Sequence, residues 1–116
     1  MAVRAPQAQA LRPPLTAADA DIANLLEAWG ADFREDASAS AHFLFTGGAT
    51  TATVKLAVWN PGLAKYILDA AFTPVNLTGN ASIPFQPNGR RCTFLVTALG
   101  VGTTLNIEVS GGPPVS

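Results

Sequence analysis

The sequence has few of the side chains on which catalytic and metal-binding sites depend. It contains one histidine, His42, and one cysteine, Cys92. A single cysteine excludes an internal disulfide and a disulfide-stapled scaffold. Charged residues make up 13% of the chain and the net charge is −1, so we expect no binding to nucleic acid or acidic membranes. No apolar run reaches the length of a transmembrane helix, and we expect no membrane span.

The remaining polar residues form no recognisable catalytic motif. A Cys–His pair is disfavoured because the strand pattern described below places Cys92 on a core face and His42 on the opposite face of another hairpin. The carboxylates Asp69 and Glu108 lie on different predicted strands, as ordinary surface residues do. The candidate metal ligands are Asp32, Glu35, Asp36 and His42, and their spacing matches no known metal-binding loop. We therefore expect no enzymatic activity, no metal and no cofactor.

The first fifteen residues differ in composition from the rest of the chain. They are rich in Ala, Pro and Gln, and Arg4 and Arg12 are their only charges. The prolines favour extended backbone and interrupt the apolar stretch that a signal peptide needs. We interpret residues 1–15 as an extended N-terminal arm, either a flexible tail or an arm that becomes ordered on a neighbouring subunit. The composition predicts a soluble protein made in a cytoplasm.

Residues 16–30 are predicted to form one amphipathic helix. Thr16 followed by Asp19 resembles a capping pair at its start, and Gly30 suits its end. Such a helix packs its apolar side on its own domain or on a partner. The apolar residues with helical spacing are Ile22, Leu25, Leu26 and Trp29.

From residue 38 to residue 112 the apolar pattern has the period of two that is typical of β-strands. If Gly47-Gly48 is a two-residue hairpin loop, Phe43 faces Ala52 and the apolar residues of both strands share one face. That shared face contains Phe43, Phe45, Ala52, Val54, Leu56 and Val58. The opposite face is mixed, as a half-buried antiparallel pair requires.

The dipeptide Asn88-Gly89 gives a second hairpin prediction of the same kind. Phe85 then faces Cys92, and the apolar residues again fall on one face. These residues are Ala81, Ile83, Phe85, Cys92, Phe94 and Val96. Pro84 lacks an N–H, so the strand that contains it is predicted to lie at a sheet edge or to be interrupted on that side.

The rest of the domain is predicted from turn signals and alternation. Gly100-Val101-Gly102 makes a turn before an alternating strand at 104–110. Residues 63–71 fit a strand or a helix that starts after Asn60, with the strand favoured by its neighbours, and 73–78 fits one more short strand. Six or seven strands at this spacing predict a mainly β fold, a small antiparallel β-sandwich or jelly roll, followed by a short tail at 113–116.

Several residues are candidates for binding a partner. The strand alternation leaves one surface of the last two strands for docking, formed by Arg91, Thr93, Leu95, Thr97, Thr104, Asn106 and Glu108. As an alternative to binding a protein partner, the domain could bind a ligand, as a tail-fibre or carbohydrate-binding module does. A sugar would then stack on Trp29, Trp59 and Tyr66. The candidate partner-binding residues are Arg4, Leu11, Arg12, Leu15, Trp29, Trp59, Arg90 and Arg91. A β-domain this small also gains stability from oligomerisation.

The whole chain resembles the cement and decoration proteins of tailed bacteriophages. The features that carry the resemblance are the Pro/Ala arm of residues 1–15, the compact β-domain with short glycine turns (TGGATTATVKLAVW and NGRRCTFLVTALGVGTTLNIEV) and the charge-poor composition. The resemblance implies a non-enzymatic auxiliary protein of the virion, assembled in the host cytoplasm. It implies binding to the major capsid protein or other virion subunits, and a homo-oligomer, either a dimer or a trimer.

Overall fold

The structure, a computed structural model, describes residues 9–33 and 38–111. The described strands are β1 (Gln9–Ala10), β2 (Ala31–Asp32), β3 (Ala39–Thr46), β4 (Ala52–Asn60), β5 (Lys65–Leu68), β6 (Val75–Leu77), β7 (Ala81–Phe85), β8 (Arg91–Leu99) and β9 (Thr104–Gly111). Two short 3₁₀ turns, Ile22–Asn24 and Glu27–Trp29, lie between β1 and β2. The predicted mainly β fold is therefore confirmed.

The strands form two antiparallel sheets that pack face to face. Sheet 1 has the order β1-β9-β3-β7, and sheet 2 has the order β2-β8-β4-β5, with β6 on the same edge of β4 as β5. The pairing is nested, since β1 pairs with β9, β2 with β8, β3 with β7 and β4 with β5. This is one long hairpin rolled over itself, the arrangement of a jelly roll.

The core lies between the two sheets and is filled by alternate residues of the long strands. Phe43 of sheet 1 and Phe94 of sheet 2 are fully buried, and their rings meet edge to face with centroids 5.3 Å apart. Phe85 also meets Phe94 edge to face, at 5.2 Å. Every residue predicted for the two apolar faces contacts this core. The prediction of which residues face inward is confirmed.

The predicted strand partners are wrong, although both turns form. Gly47, Gly48, Asn88 and Gly89 all have the positive φ of a tight two-residue turn, and Arg90 N–H donates to Pro87 C=O over 3.0 Å. However, β3 and β4 lie in different sheets, and so do β7 and β8. Each turn therefore carries the chain from one sheet to the other. The inward faces agree because both sheets face the same core.

Three predictions about the middle of the chain are confirmed. Pro84 lies in β7, which is an edge strand of sheet 1 and pairs on one side with β3. The ambiguous segment 63–71 contains a strand, β5, and 73–78 contains β6. Both strands pair antiparallel with β4 and are separated by a loop, so together they act as one interrupted edge strand of sheet 2.

The predicted helix over 16–30 is wrong. Apart from the two 3₁₀ turns, the segment consists of bends and irregular backbone. The Asp21 carboxylate caps the first turn by accepting from Ala23 N–H over 3.0 Å. Leu25 is buried, but Leu26 is 56% exposed, so the apolar residues with helical spacing do not form one buried side. A short isolated helix is marginal in water, and contacts with the sheets override the local pattern.

The prediction of an arm over residues 1–15 is wrong for residues 9–15, which are the part of it that the structure describes. Gln9 and Ala10 pair with β9, while Leu11 and Leu15 are buried in the core. Residues 9–15 therefore belong to the sandwich. Arg4 and the rest of 1–8 lie outside the described residues, as do Glu35 and Asp36 of the segment 34–37 and the tail at 113–116.

Candidate functional site

The N-terminal segment closes one side of the sandwich through a buried ion pair. The guanidinium of Arg12 donates to both carboxylate oxygens of Asp19, over 2.9 and 2.7 Å, and the two side chains are only 4% and 8% exposed. Leu11 and Leu15 N–H groups donate to carbonyls of β9 over 2.9 Å each. Arg12, Leu11 and Leu15, predicted as partner-binding residues, are thus used inside their own domain.

The same ion pair also reaches the edge of sheet 2. Arg12 donates to the Phe94 carbonyl over 3.0 Å, and a carboxylate oxygen of Asp19 accepts from Val96 N–H over 2.9 Å. Asp19 N–H donates in return to the Val96 carbonyl over 2.8 Å. The guanidinium also lies over the Trp29 ring, 4.7 Å from its centroid. One buried pair therefore satisfies backbone groups of β8 that an open edge would leave unpaired.

The two arginines at the Asn88-Gly89 turn contact other segments of the same chain. Arg90 donates to the Asp69 carboxylate over 3.0 Å and to the Pro87 carbonyl over 2.7 Å. Burial raises the pKa of Asp69, but hydrogen bonds from Ala71 N–H and Arg90 outweigh it, so that the pKa of Asp69 is lowered. Arg91 donates through Nε to the Glu27 carbonyl over 2.9 Å. Both arginines therefore join the turn to neighbouring loops.

The aromatic residues predicted as a sugar-stacking platform lie close together in an apolar cluster that is separate from the core between the sheets. Tyr66 is 2% exposed and its hydroxyl donates to the Glu27 carbonyl over 2.9 Å. Trp59 meets Tyr66 edge to face at 5.0 Å, and Trp29 is half-buried beside them. Gly30 is required here, since a Cβ at that position would lie 2.0 Å from the Tyr66 hydroxyl oxygen. The rings are packed under residues 19–30 and do not form a flat exposed platform.

The docking surface predicted from the last two strands is divided between the two sheets. Thr93 and Leu95 are buried under residues 19–30, and the Thr93 hydroxyl donates to the Trp29 carbonyl over 2.8 Å. Thr104, Asn106 and Glu108 lie on the outer side of sheet 1 instead. The two groups therefore face opposite directions across the sandwich.

The described residues leave the outer side of sheet 1 uncovered, and we call this surface the open face. The side chains on it are Ala10, Ser40, His42, Leu44, Thr46, Ser82, Pro84, Thr104, Asn106, Glu108 and Ser110. The His42 ring joins three strands, with Nδ1 2.7 Å from the Ser82 hydroxyl and Nε2 3.1 Å from the Ser110 hydroxyl. Glu108 is the one carboxylate on this face. The open face is thus a flat, hydroxyl-rich surface with little charge.

The two potential nucleophilic or basic groups lie in different environments. Cys92 is buried between the sheets, whereas His42 lies on the open face with both ring nitrogens against hydroxyls. A hydrolase dyad requires the nucleophile and the base to be in contact and the base to be oriented by a third group. This geometry does not provide that arrangement. In the part of the chain that the structure describes, no three His, Cys, Asp or Glu side chains are grouped as metal ligands.

We expect Cys92 to be protected from thiol reagents in the native protein. Burial raises the pKa of the thiol to about 11, so at pH 8 the thiolate fraction is about 100-fold lower than in an unfolded chain. Reaction with a chromogenic disulfide reagent at pH 8 should therefore be at least about 100-fold slower for the native protein than in guanidinium chloride. Equal rates in the two solutions would contradict the burial of Cys92.

The sequence does not predict the two ion pairs that Asp19 and Asp69 form with Arg12 and Arg90. The sequence pattern places Asp19 at a helix start, and no sequence signal links it to Arg12. The sequence identifies Asp69 only as a lone carboxylate, and its partner Arg90 is 21 residues away in the chain. Both pairings depend on how the folded chain places its loops against the sheets, and local periodicity does not carry that information.

No described helix has the length and apolar character needed to cross a membrane. No protein-family model matches this chain, and no curated protein is significantly similar to it.

Proposed function

We propose that this protein is a non-enzymatic structural protein that attaches to a larger assembly, as an auxiliary protein of a virion such as a capsid cement or decoration protein. The observation that carries the proposal is the position of the N-terminal segment relative to the open face. Strand β1 (Gln9–Ala10) pairs with β9, so residues 1–8 are covalently joined to the edge strand of sheet 1. The attachment point of this arm and the open face therefore belong to the same sheet.

The coverage of the two sheets supports this assignment. Sheet 2 carries residues 19–30 on its outer side, where Leu25 is buried against Ala57 and Leu95. In the described residues, sheet 1 has no such cover, and its outer side bears small hydroxyl and amide side chains with Leu44 38% exposed. A flat surface that is neither strongly charged nor strongly apolar suits contact with a large protein surface.

An arm and a sheet face that contact one assembly bind better together than separately. Once the open face is docked, the arm is held close to the same surface, which raises its effective concentration there. A segment of eight residues can span at most roughly 25 Å, which limits the arm to subunits next to the docked domain. Binding across such joints stabilises the assembled shell, because the protein binds the assembled form and not the dissociated subunits.

The fold agrees with this function, but proteins of other functions have the same fold. Jelly rolls occur in viral capsid proteins and also in lectins, and one fold supports many functions. The alternative of a carbohydrate-binding module rests on Trp59, whose ring packs edge-on against the buried Tyr66. The packing of these rings supports a structural role for Trp59, and we favour the assembly protein.

The proposal is tested by cosedimentation with shells assembled from the major capsid protein of the same virus. Leu44→Arg places a long charged side chain in the middle of the open face and should lower the affinity at least about 10-fold, a loss of about 1.4 kcal/mol. Thr97→Arg is the matched control, since Thr97 is exposed on a strand of sheet 2. Removal of residues 1–8 should also weaken binding without unfolding the domain.

Equal binding by Leu44→Arg and the wild-type protein would overturn the assignment of the open face. Equal binding after removal of residues 1–8 would overturn the role of the arm. Saturable glycan binding that is lost in Trp59→Ala would favour the carbohydrate-binding alternative.

A further inference from the structure

The four edges of the two sheets differ in how they are protected from pairing with another chain. The β9 edge of sheet 1 is covered by β1 and by Leu15, and the β7 edge contains Pro84. The β8 edge of sheet 2 is covered by β2 and by Asp19. Strand β5 forms part of the fourth edge and contains no proline. Covering strands and prolines are the usual means of blocking an edge. Among the described residues, β5 contains no proline and no strand pairs with its outer edge, although the 3₁₀ turn at Ile22–Asn24 packs beside it.

The side chains around β5 are apolar and exposed. Leu63, Ile67 and Leu68 are 59%, 41% and 45% exposed, although monomeric proteins usually place charges on a free edge. The strand has one charged residue, Lys65, at its start. These features favour an edge that is buried by another strand.

The hydrogen-bonding pattern defines which backbone groups of β5 are free. Asp69 N–H donates to the Leu56 carbonyl of β4 over 2.9 Å, and the register pairs Ile67 with Val58. Because ladder bonds alternate along an antiparallel strand, the N–H and C=O groups of Ile67 point toward β4. Those of Tyr66 and Leu68 therefore point away from the sheet, and no described segment pairs with them.

We propose that two copies of this chain associate by antiparallel pairing of β5 with β5 of the second copy, with Ile67 on the two-fold axis. In this register Tyr66 lies opposite the second copy's Leu68, and the free groups of both residues form four intermolecular hydrogen bonds. Ile67 faces its counterpart across the axis. Sheet 2 then continues from one subunit into the other.

The charges at the two ends of the strand complement each other in this register. Lys65 and Asp69 lie two residues before and two residues after Ile67, so each Lys65 lies opposite the second copy's Asp69. Centring the pair on Tyr66 would require Ala64, whose φ of +54° is not extended. The register centred on Ile67 uses extended residues and places opposite charges together. The interface is small, so the dimer should be weak, with a Kd in the micromolar range.

The test is sedimentation equilibrium of the whole chain between about 10 and 500 µM, without any capsid component, so it is independent of the proposed function. The wild-type protein should shift from the monomer mass toward twice that mass. Leu68→Pro removes an N–H that points away from β4, so it should leave the fold intact. It deletes two of the four intermolecular hydrogen bonds and should weaken association at least about 10-fold.

A charge exchange tests the register itself. Lys65→Glu alone and Asp69→Lys alone each place like charges opposite each other and should each weaken self-association. When the two variants are mixed, the side chain at position 65 of either chain faces a side chain of opposite charge at position 69 of the other. A heterodimer should therefore form in the mixture.

A wild-type protein that stays monomeric at 500 µM would overturn the proposal. So would a wild-type dimer that persists in Leu68→Pro, because that dimer must use another surface. If Asp69→Lys does not fold because it loses Arg90, Leu68→Pro and Lys65→Glu still decide the outcome.

Discussion

Replacing Asp19 by alanine is expected to lower the free energy of unfolding by about 3–5 kcal/mol. The substitution leaves the Arg12 guanidinium, 4% exposed, without its carboxylate, and removal of one partner from a buried ion pair has a cost of this size. It also removes the acceptor of Val96 N–H at the edge of β8. Denaturant unfolding at pH 7, followed by tryptophan fluorescence, measures the change. For a domain with a total stability of about 5–15 kcal/mol, the loss approaches unfolding.

Asp21→Ala is the matched control, because Asp21 lies two residues away, is exposed and only caps a short turn. Asp21→Ala should lower the free energy of unfolding by about 1 kcal/mol or less. The double variant Arg12→Met, Asp19→Ala removes both charges, so it should be more stable than the sum of the two single losses predicts, by about 1 kcal/mol or more. Strict additivity would show that the two side chains do not interact as an ion pair.

Replacing Phe94 by alanine is expected to lower the free energy of unfolding by about 3–5 kcal/mol. Phe94 is fully buried, and the rings of Phe43, Phe72 and Phe85 surround it with centroids at 5.2 to 5.8 Å. Its removal leaves a cavity between the sheets that close packing does not refill. The melting temperature should fall by about 15 °C or more, as measured by circular dichroism.

Phe94→Leu keeps most of the volume and should lose less than half as much stability as Phe94→Ala. A loss below about 1 kcal/mol for Phe94→Ala would contradict the position of this residue at the centre of the core. The aromatic contacts join the two sheets, so the loss of the Phe94 ring is expected to weaken the packing between them.

The inward-facing residues of the sandwich were predictable because alternation is a local property. Phe43, Val54, Phe94 and Ile107 face the core in whichever sheet their strand lies, since residues of one parity point to one side of any extended strand. The edge position of the Pro84 strand was predictable for a similar reason, as a missing N–H affects the strand that contains it. Turn conformations at Gly47-Gly48 and Asn88-Gly89 also followed from the residues themselves.

The partners of the strands were not predictable from the same pattern. A tight turn fits a hairpin within one sheet and also a connection that passes from one sheet to the other. The choice depends on contacts such as β3 with β9, whose residues are more than 50 positions apart in the sequence. Pairing across such distances is decided by how the whole chain buries its apolar surface.

The mainly β character, the inward faces, the turns and the edge position of the Pro84 strand follow from the sequence, because each depends on residues that are neighbours in the chain. The role of residues 9–30 depends on the folded chain. They do not form the predicted helix, and instead cover sheet 2 and close the side of the sandwich through Arg12 and Asp19. The folded chain also decides which surfaces remain free, namely the open face and β5. The physical reason is that exposure belongs to the packed chain, so a residue such as Leu95, which alternation assigns to an outer face, is buried when another segment lies over it.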